Sequence, residues 1–486
     1  MKKFFEKHDL FKLVGIMMLI AALLTWILVY SVYQGGELMW FNEGTVKPFS
    51  IFDSSTIGIF DFNTYILLGL YYFTNVFVFL FVVFGFYKVI GSTESYKAIV
   101  NKIAELFKGK ELLFVVISIV FYTIFGSIST TPLILFAFIP FSLSVLNRLK
   151  LDKITALMAT FGGTLLGILG STYSGGIVGN MINYGTIGIQ YGYEFWSIII
   201  LTVIAIIVLS IFLSMRIKST DKKELVEDIF SSDEDTKKKT KKVKGLVPMA
   251  ILLGVFAVVI ILAFITWSAF GVETFTKLHE TITNATIGGE GKTFPIMFIG
   301  SSTLAALGEW DLFTAGSFMV FILILIKLIC NIKTDEVIEN IGEGLKLAIK
   351  PAVLLIMVYT VLVFSVSYPV IPGVINTLMN WLSADVLRPI AWLLSGFITS
   401  LFAVDMQYVT SVIGSLFAKF SNANAAALAL QASYAIFGFI APTSAILMLG
   451  LSTLNIKFKD YFKFIWKFLL ALVAIVLIVL YILLYI

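Results

Sequence analysis

Asp405 is the only acidic residue set deep in an apolar stretch, between residues 397–404 and 409–418. A carboxylate at mid-bilayer costs roughly 2.5 to 3.5 kcal/mol on insertion scales, so by default it marks an ion, proton or substrate site. Its other reading is a cap, accepting from free N–H groups on the second arm of a hairpin, and the two roles are compatible. The chain carries four clusters of small and polar residues in otherwise apolar sequence. They are Ser127, Ser129, Thr130 and Thr131 before Pro132; Ser171, Thr172 and Ser174 between Gly170 and Gly175; Asp405 and Gln407; and Thr443 and Ser444 after Pro442. Hydroxyls and an amide can ligate a cation or bond a substrate, although in membrane helices a hydroxyl more often bonds its own backbone. Pro132, Pro442, Gly126, Gly170, Gly175 and Gly176 remove helix-forming capacity at the same places. A sodium ion, if that is the coupling ion, is expected at the backbone carbonyls around Gly126, Gly170 and Ala441.

The elements that hold these groups follow from the cost of an unpaired backbone N–H or C=O in hydrocarbon. Helix-breaking sequence at membrane depth survives only where it is buried in protein or lines a watery cavity. Residues 112–176 and 389–448 each form an apolar stretch interrupted twice, with nearly equal spacing between the interruptions. Such paired segments in corresponding places of two halves point to the binding site of a secondary transporter. The expected fold is an all-α polytopic membrane protein of two inverted repeats, each with a re-entrant helical hairpin and a broken transmembrane helix.

Composition agrees with a membrane class. The 486 residues are 59% hydrophobic and only 13% charged, against roughly 25% charged in soluble domains. The formal charge of +5 is carried by lysines and arginines in short segments between apolar runs. That is what membrane orientation requires, so no nucleic-acid partner is implied. Cys330 is alone, which excludes an internal disulfide and leaves a packing role, and His8 and His279 lie in polar flanks. Neither a zinc site nor a His-based triad can be built from these, and no cofactor is expected beyond a coupling sodium or proton. The run Gly288-Gly289-Glu290-Gly291-Lys292-Thr293 imitates a phosphate loop but has Thr286 where the first glycine belongs and no preceding strand.

In chain order, Lys2, Lys3, Lys7 and Lys12 precede an uncleaved first helix at 14–32 in the cytoplasmic membrane, with the N-terminus on the cytoplasmic side. A second helix at 65–89 returns to an amphipathic interfacial segment at 91–110. The first hairpin, 111–146 with its tip at 126–132, starts and ends on the basic, cytoplasmic side. A broken helix at 154–178 and a helix at 196–214 complete a first half, residues 1–217. Residues 218–245 form a charged cytoplasmic linker, a flexible tether or an anionic-lipid contact through Lys237, Lys238 and Lys239. The second half, 246–486, holds helices at 246–270, 312–332 and 348–366, an interfacial stretch at 334–347 and a surface helix at 370–382. It ends with a hairpin at 386–420 that starts outside, a broken helix at 425–449 and a last helix at 464–484. Lys350 and Arg388 sit at helix ends, where basic side chains snorkel. Opposite entry of the two hairpins makes the halves inverted repeats.

At these residues the chain resembles the YfcC and DcuC-type carriers, C4-dicarboxylate or basic amino-acid transporters of the ion transporter superfamily. The likeness is clearest from Gly438 through Pro442-Thr443-Ser444 to Met448 and from Ile456 to Phe464. Relatives carry a glutamate pair after the first tip, where this chain has Ser129-Thr130-Thr131-Pro132. Their Asn-Pro is Tyr173-Ser174 here, and their Ser-Gly-Ser-Gly is Ala403-Val404-Asp405-Met406. The resemblance implies an elevator mechanism, in which a mobile domain of hairpins and broken helices moves against a scaffold, and a homodimer.

The leading reading is therefore a secondary carrier for a small carboxylate or amino acid, coupled to sodium or protons or working by exchange. A membrane-embedded enzyme would need an intramembrane acid–base or metal set that this chain lacks. A channel would need a ring from several copies of one helix, which two nonidentical halves do not supply.

Overall fold

The computed structural model describes residues 9–28, 31–34, 37–40, 57–185, 187–219, 224–230, 245–284, 305–402, 406–417 and 422–485. Among them, eight helices are long and apolar enough to cross a membrane. They pack as two groups. In the first, Asp9–Ile27, Ile59–Tyr72 and Thr74–Ser92 pack on the 34-residue helix Thr334–Ser367, and Leu312–Cys330 packs on Thr74–Ser92. In the second, Glu111–Ile128, Lys153–Leu169, Phe195–Lys218, Arg388–Ser400, Ala423–Gly438 and Phe458–Tyr485 pack on one another. Leu246–Phe264 touches the first group along its length and meets the second at its end. The only strands among the described residues are Ser31–Gln34 and Glu37–Trp40, an antiparallel ribbon in the loop after the first helix.

Several elements differ from their sequence-based bounds, each for a local reason. The expected helix at 65–89 is two helices broken at Phe73, where the Thr74 hydroxyl bonds the carbonyls of Leu70 and Tyr71 at 2.8 Å each. The interfacial stretch at 334–347 and the helix at 348–366 are one helix, which passes through Pro351. Close packing holds it: a Cβ at Gly344 would lie 2.6 Å from the Phe84 carbonyl oxygen. The helix expected to reach 270 ends at Phe264, because Thr130 N–H bonds Phe264 O at 2.8 Å and Thr266 N–H bonds Ile128 O at 3.3 Å. The segment expected as a surface helix at 370–382 is Ile371–Trp381, and it buries Ile371, Ile375 and Met379.

The linker also departs from a free tether. Within it, residues 224–230 dock on the protein, with Val226 2% and Phe230 1% exposed. The Lys237–Lys239 cluster and the loop at 288–293 lie outside the described residues. Of the two basic residues expected to snorkel, Arg388 pairs with Asp385 and Lys350 Nζ donates to Asn455 Oδ1 at 2.8 Å.

Both hairpin stretches reverse direction. In the first, Tyr122 Oη and Ser142 Oγ lie 2.8 Å apart, and the Phe121 and Phe125 rings both meet Phe138. The chain therefore turns at residues 129–131 and returns through the 3-10 turn Pro132–Ala137 and the helix Ile139–Arg148. In the second, Trp392 of Arg388–Ser400 meets Phe417 of Met406–Phe417, with ring centroids 6.2 Å apart. Each first arm lies against a broken helix at a small residue. A Cβ at Gly167 would fall 2.8 Å from Gly126 Cα, and one at Gly396 2.0 Å from Ser433 Cβ. Small residues let membrane helices approach closely enough for dispersion and backbone contacts to hold them.

Candidate functional site

The four interruptions are built in matched ways. Lys153–Leu169 stops at Gly170, and Ser174 caps the next turn, Gly175–Gly179, by accepting from Ile177 N–H at 3.2 Å. Ala423–Gly438 stops likewise, and Ser444 caps Ala445–Thr453 by accepting from Leu447 N–H at 3.4 Å. Each break is tied to the hairpin tip of its own half. Ser174 Oγ donates to Ser129 O at 2.6 Å, 45 residues back in the chain. Thr443 Oγ1 reaches Ser400 O at 3.0 Å, 43 residues back, and Leu401 O at 2.9 Å. A hydroxyl thus supplies the hydrogen that an interrupted helix leaves its carbonyls without.

These breaks surround one cavity of about 460 Å³, within the range of small-molecule sites. The first tip contributes Thr130, Thr131 and Pro132; the first broken helix Gly176, Ile177 and Asn180; the second hairpin Ser400, Met406 and Gln407; and the last break Ala441, Ser444 and Ala445. The wall opposite comes from the first packed group, through Tyr72, Phe73, Asn75, Trp310, Asp311 and Tyr359. The cavity lies between the two groups. Its walls offer hydroxyls, amides and helix starts, which suit polar ligation better than bond-making chemistry. Two of its hydroxyls, Thr130 Oγ1 and Ser400 Oγ, are buried without a hydrogen-bond partner.

Of the residues singled out from sequence, Thr130, Thr131, Gln407 and Ser444 line this cavity. Ser127, Ser129, Ser171, Thr172, Ser174 and Thr443 do not. Ser127 and Ser171 bond their own helices, at Ile124 O (2.8 Å) and Gly167 O (3.0 Å), and Ser129 Oγ faces Gly126 O at 3.4 Å. Thr172 is buried, and its carbonyl accepts from Gly192 N–H at 2.9 Å. Asp405 lies outside the described residues, between buried Phe402 and the cavity residue Met406. Three histidine, cysteine or acidic side chains placed to hold a metal do not occur among the described residues.

A family description, DcuC: C4-dicarboxylate anaerobic carrier, matches residues 8–485. The chain belongs to the DcuC family. No curated protein matches this carrier. Among solved structures it is similar to the YdaH transporter of Alcanivorax borkumensis, at 11% identity over 97% of each chain and a TM-score of 0.39. It is likewise similar to Neisseria gonorrhoeae MtrF, described as one of a class of antimetabolite efflux pumps, at 11% identity over 97% of this chain and 93% of that one, with a TM-score of 0.38. Family membership makes the protein a multi-pass membrane carrier of a small molecule, not an enzyme.

Two features of the DcuC-family carrier escaped sequence reasoning. Gln431, fully buried, donates from Nε2 to Leu169 O and Ser171 O at 2.8 Å each and accepts from Tyr193 Oη at 2.7 Å. It closes the carbonyl end of the first broken helix with a side chain from the second half. Its only signal is an amide in the interior of an alanine-rich run, Ala423–Gly438. The second is the break at Phe73, whose neighbours Tyr72 and Asn75 line the cavity. It has no proline or glycine at the break itself, only the Thr74-Asn75 pair.

Proposed function

We propose that this carrier is a secondary active transporter of the cytoplasmic membrane, oriented with its N-terminus inside. It moves a small carboxylate or amino acid by an elevator form of alternating access, coupled to sodium or protons or working by exchange, and acts as a homodimer. The observation that supports this best is the cavity, because both hairpins and both broken helices reach it and it lies where the two groups of helices meet. Asp405 is assigned the coupling ion or the substrate. The test is uptake by proteoliposomes under sodium or proton gradients, with dicarboxylates, amino acids and short peptides offered in turn. Asp405→Asn is expected to abolish coupled uptake while the protein still assembles. Normal uptake with unchanged ion dependence in that variant would end the role given to Asp405.

One observation favours an amino acid over a dianion. Asp311 carries the only formal charge among the described residues on the cavity wall. Its Oδ1 caps the helix Leu312–Cys330, accepting from Thr314 N–H at 2.7 Å and Thr314 Oγ1 at 2.6 Å. An asparagine caps a helix about as well, so the cap does not require the charge. A substrate ammonium would answer it, while a single carboxylate fits the orphaned hydroxyls and helix starts. Asp311→Asn is expected to raise KM for amino acids at least tenfold and leave any dicarboxylate uptake as it was. Equal losses for both classes would remove the distinction.

A further inference from the structure

Residues 224–230 form a short peptide pinned to both packed groups. On one side a single antiparallel bridge, Asp152 opposite Leu225, joins it to the chain between the first hairpin and the first broken helix. Lys153 N–H bonds Glu224 O at 2.9 Å, and Val226 N–H bonds Leu151 O at 3.0 Å. Asn147 Nδ2 donates to Val226 O at 2.5 Å, and Ser144 Oγ to Asp228 Oδ1 at 3.2 Å. Lys153, itself 8% exposed, pairs with Glu224 at 3.2 Å and Glu227 at 3.4 Å. On the other side Lys88 Nζ donates to Ile229 O at 3.2 Å, and the Phe230 ring packs on Phe84 and Tyr87, all on Thr74–Ser92.

We infer that residues 224–230 are a clasp that holds the carrier in the conformation described here and must let go of one group before the two can shift. The inference rests on the elevator reading above and adds a part to it. Its two attachments differ in kind. The Phe230 anchor is apolar and dry, whereas both glutamates are more than three-quarters exposed, so water can take their place at Lys153. The polar attachment is therefore the one that yields first, on the face that the lysine distribution assigns to the cytoplasm. The antiparallel bridge and the buried valine explain why the peptide docks at all inside so charged a linker.

The test uses the full chain with Cys330→Ser and a single Ile229→Cys, reconstituted and labelled with a maleimide reagent admitted to the linker face. Succinate, aspartate and alanine are supplied in turn under a sodium gradient, under a proton gradient and in exchange for the same solute inside. Labelling is expected to accelerate at least threefold during uptake over the resting rate. Phe230→Ala, and separately Glu224→Gln with Glu227→Gln, are expected to raise turnover. Uptake with unchanged labelling, and with turnover that neither set of substitutions raises, overturns the clasp and leaves the carrier standing. Absence of uptake of all three solutes under every one of these conditions overturns the proposed transport cycle and the clasp together.

Discussion

At the scale of single residues, Gln431 shows how a buried amide stands in for missing backbone hydrogens. Two carbonyls of the first broken helix and the Tyr193 hydroxyl all depend on it. Leaving a buried polar group unpaired costs about 1–3 kcal/mol. Gln431→Ala should therefore lose at least about 3 kcal/mol, read as a large fall in the unfolding temperature in detergent. Gln431→Met, which fills the space but restores no donor, should not rescue it. Asp311 is a contrasting case, where Asn keeps the cap and only the charge is lost, so stability should hold while amine recognition fails.

At the scale of elements, the ties between breaks and tips are the repeated device. Ser174→Ala removes the donor to Ser129 O together with a helix cap. Thr443→Ala removes the donor shared by Ser400 O and Leu401 O but leaves the cap on Ser444. Each should cost about 1–2 kcal/mol by loss of the bond or the cap. A substitution with no effect on thermal unfolding would show that its tip is held by other contacts. Serine, threonine, proline and glycine clusters made three of the four breaks legible, because those residues act through local backbone physics, and Asp405 with Gln407 marked the fourth. Which hydroxyl faces the cavity and which faces a carbonyl was not legible, since Thr130 and Ser129 are neighbours of the same kind with opposite duties. The boundary expected between 347 and 348 follows a change from charged to apolar residues, and close packing of Gly344 on Phe84 and Gly85 belongs to one helix that runs across it. The Phe73 break stayed hidden because aromatic residues on either side read as continuous helix.

At the scale of the whole molecule, the cavity takes one wall from each packed group, so anything bound there touches both. Gln407, exposed on its wall, offers a direct measurement. In the Cys330→Ser background, Gln407→Cys should react with a membrane-impermeant maleimide from one face only, and a transported solute should slow the reaction. Equal reaction from both faces without protection would place residue 407 on the outer surface and remove it from the pathway. A composition of 13% charged residues and regular lysine flanks announced the membrane class, but no pattern in one chain shows which helices keep company with which. That follows only from side-chain fit, as where Tyr87 Oη finds Ala137 O at 2.6 Å.

The stitch between residues 128–130 and 264–266 has a mechanical consequence. Two backbone bonds cross there, and Thr266 Oγ1 also receives Gly175 N–H at 2.9 Å. The first tip cannot swing open like a door on its own hinge without tearing that seam or dragging the end of Leu246–Phe264 with it. Opening at this tip therefore costs the seam its two backbone bonds or carries the helix end along as cargo.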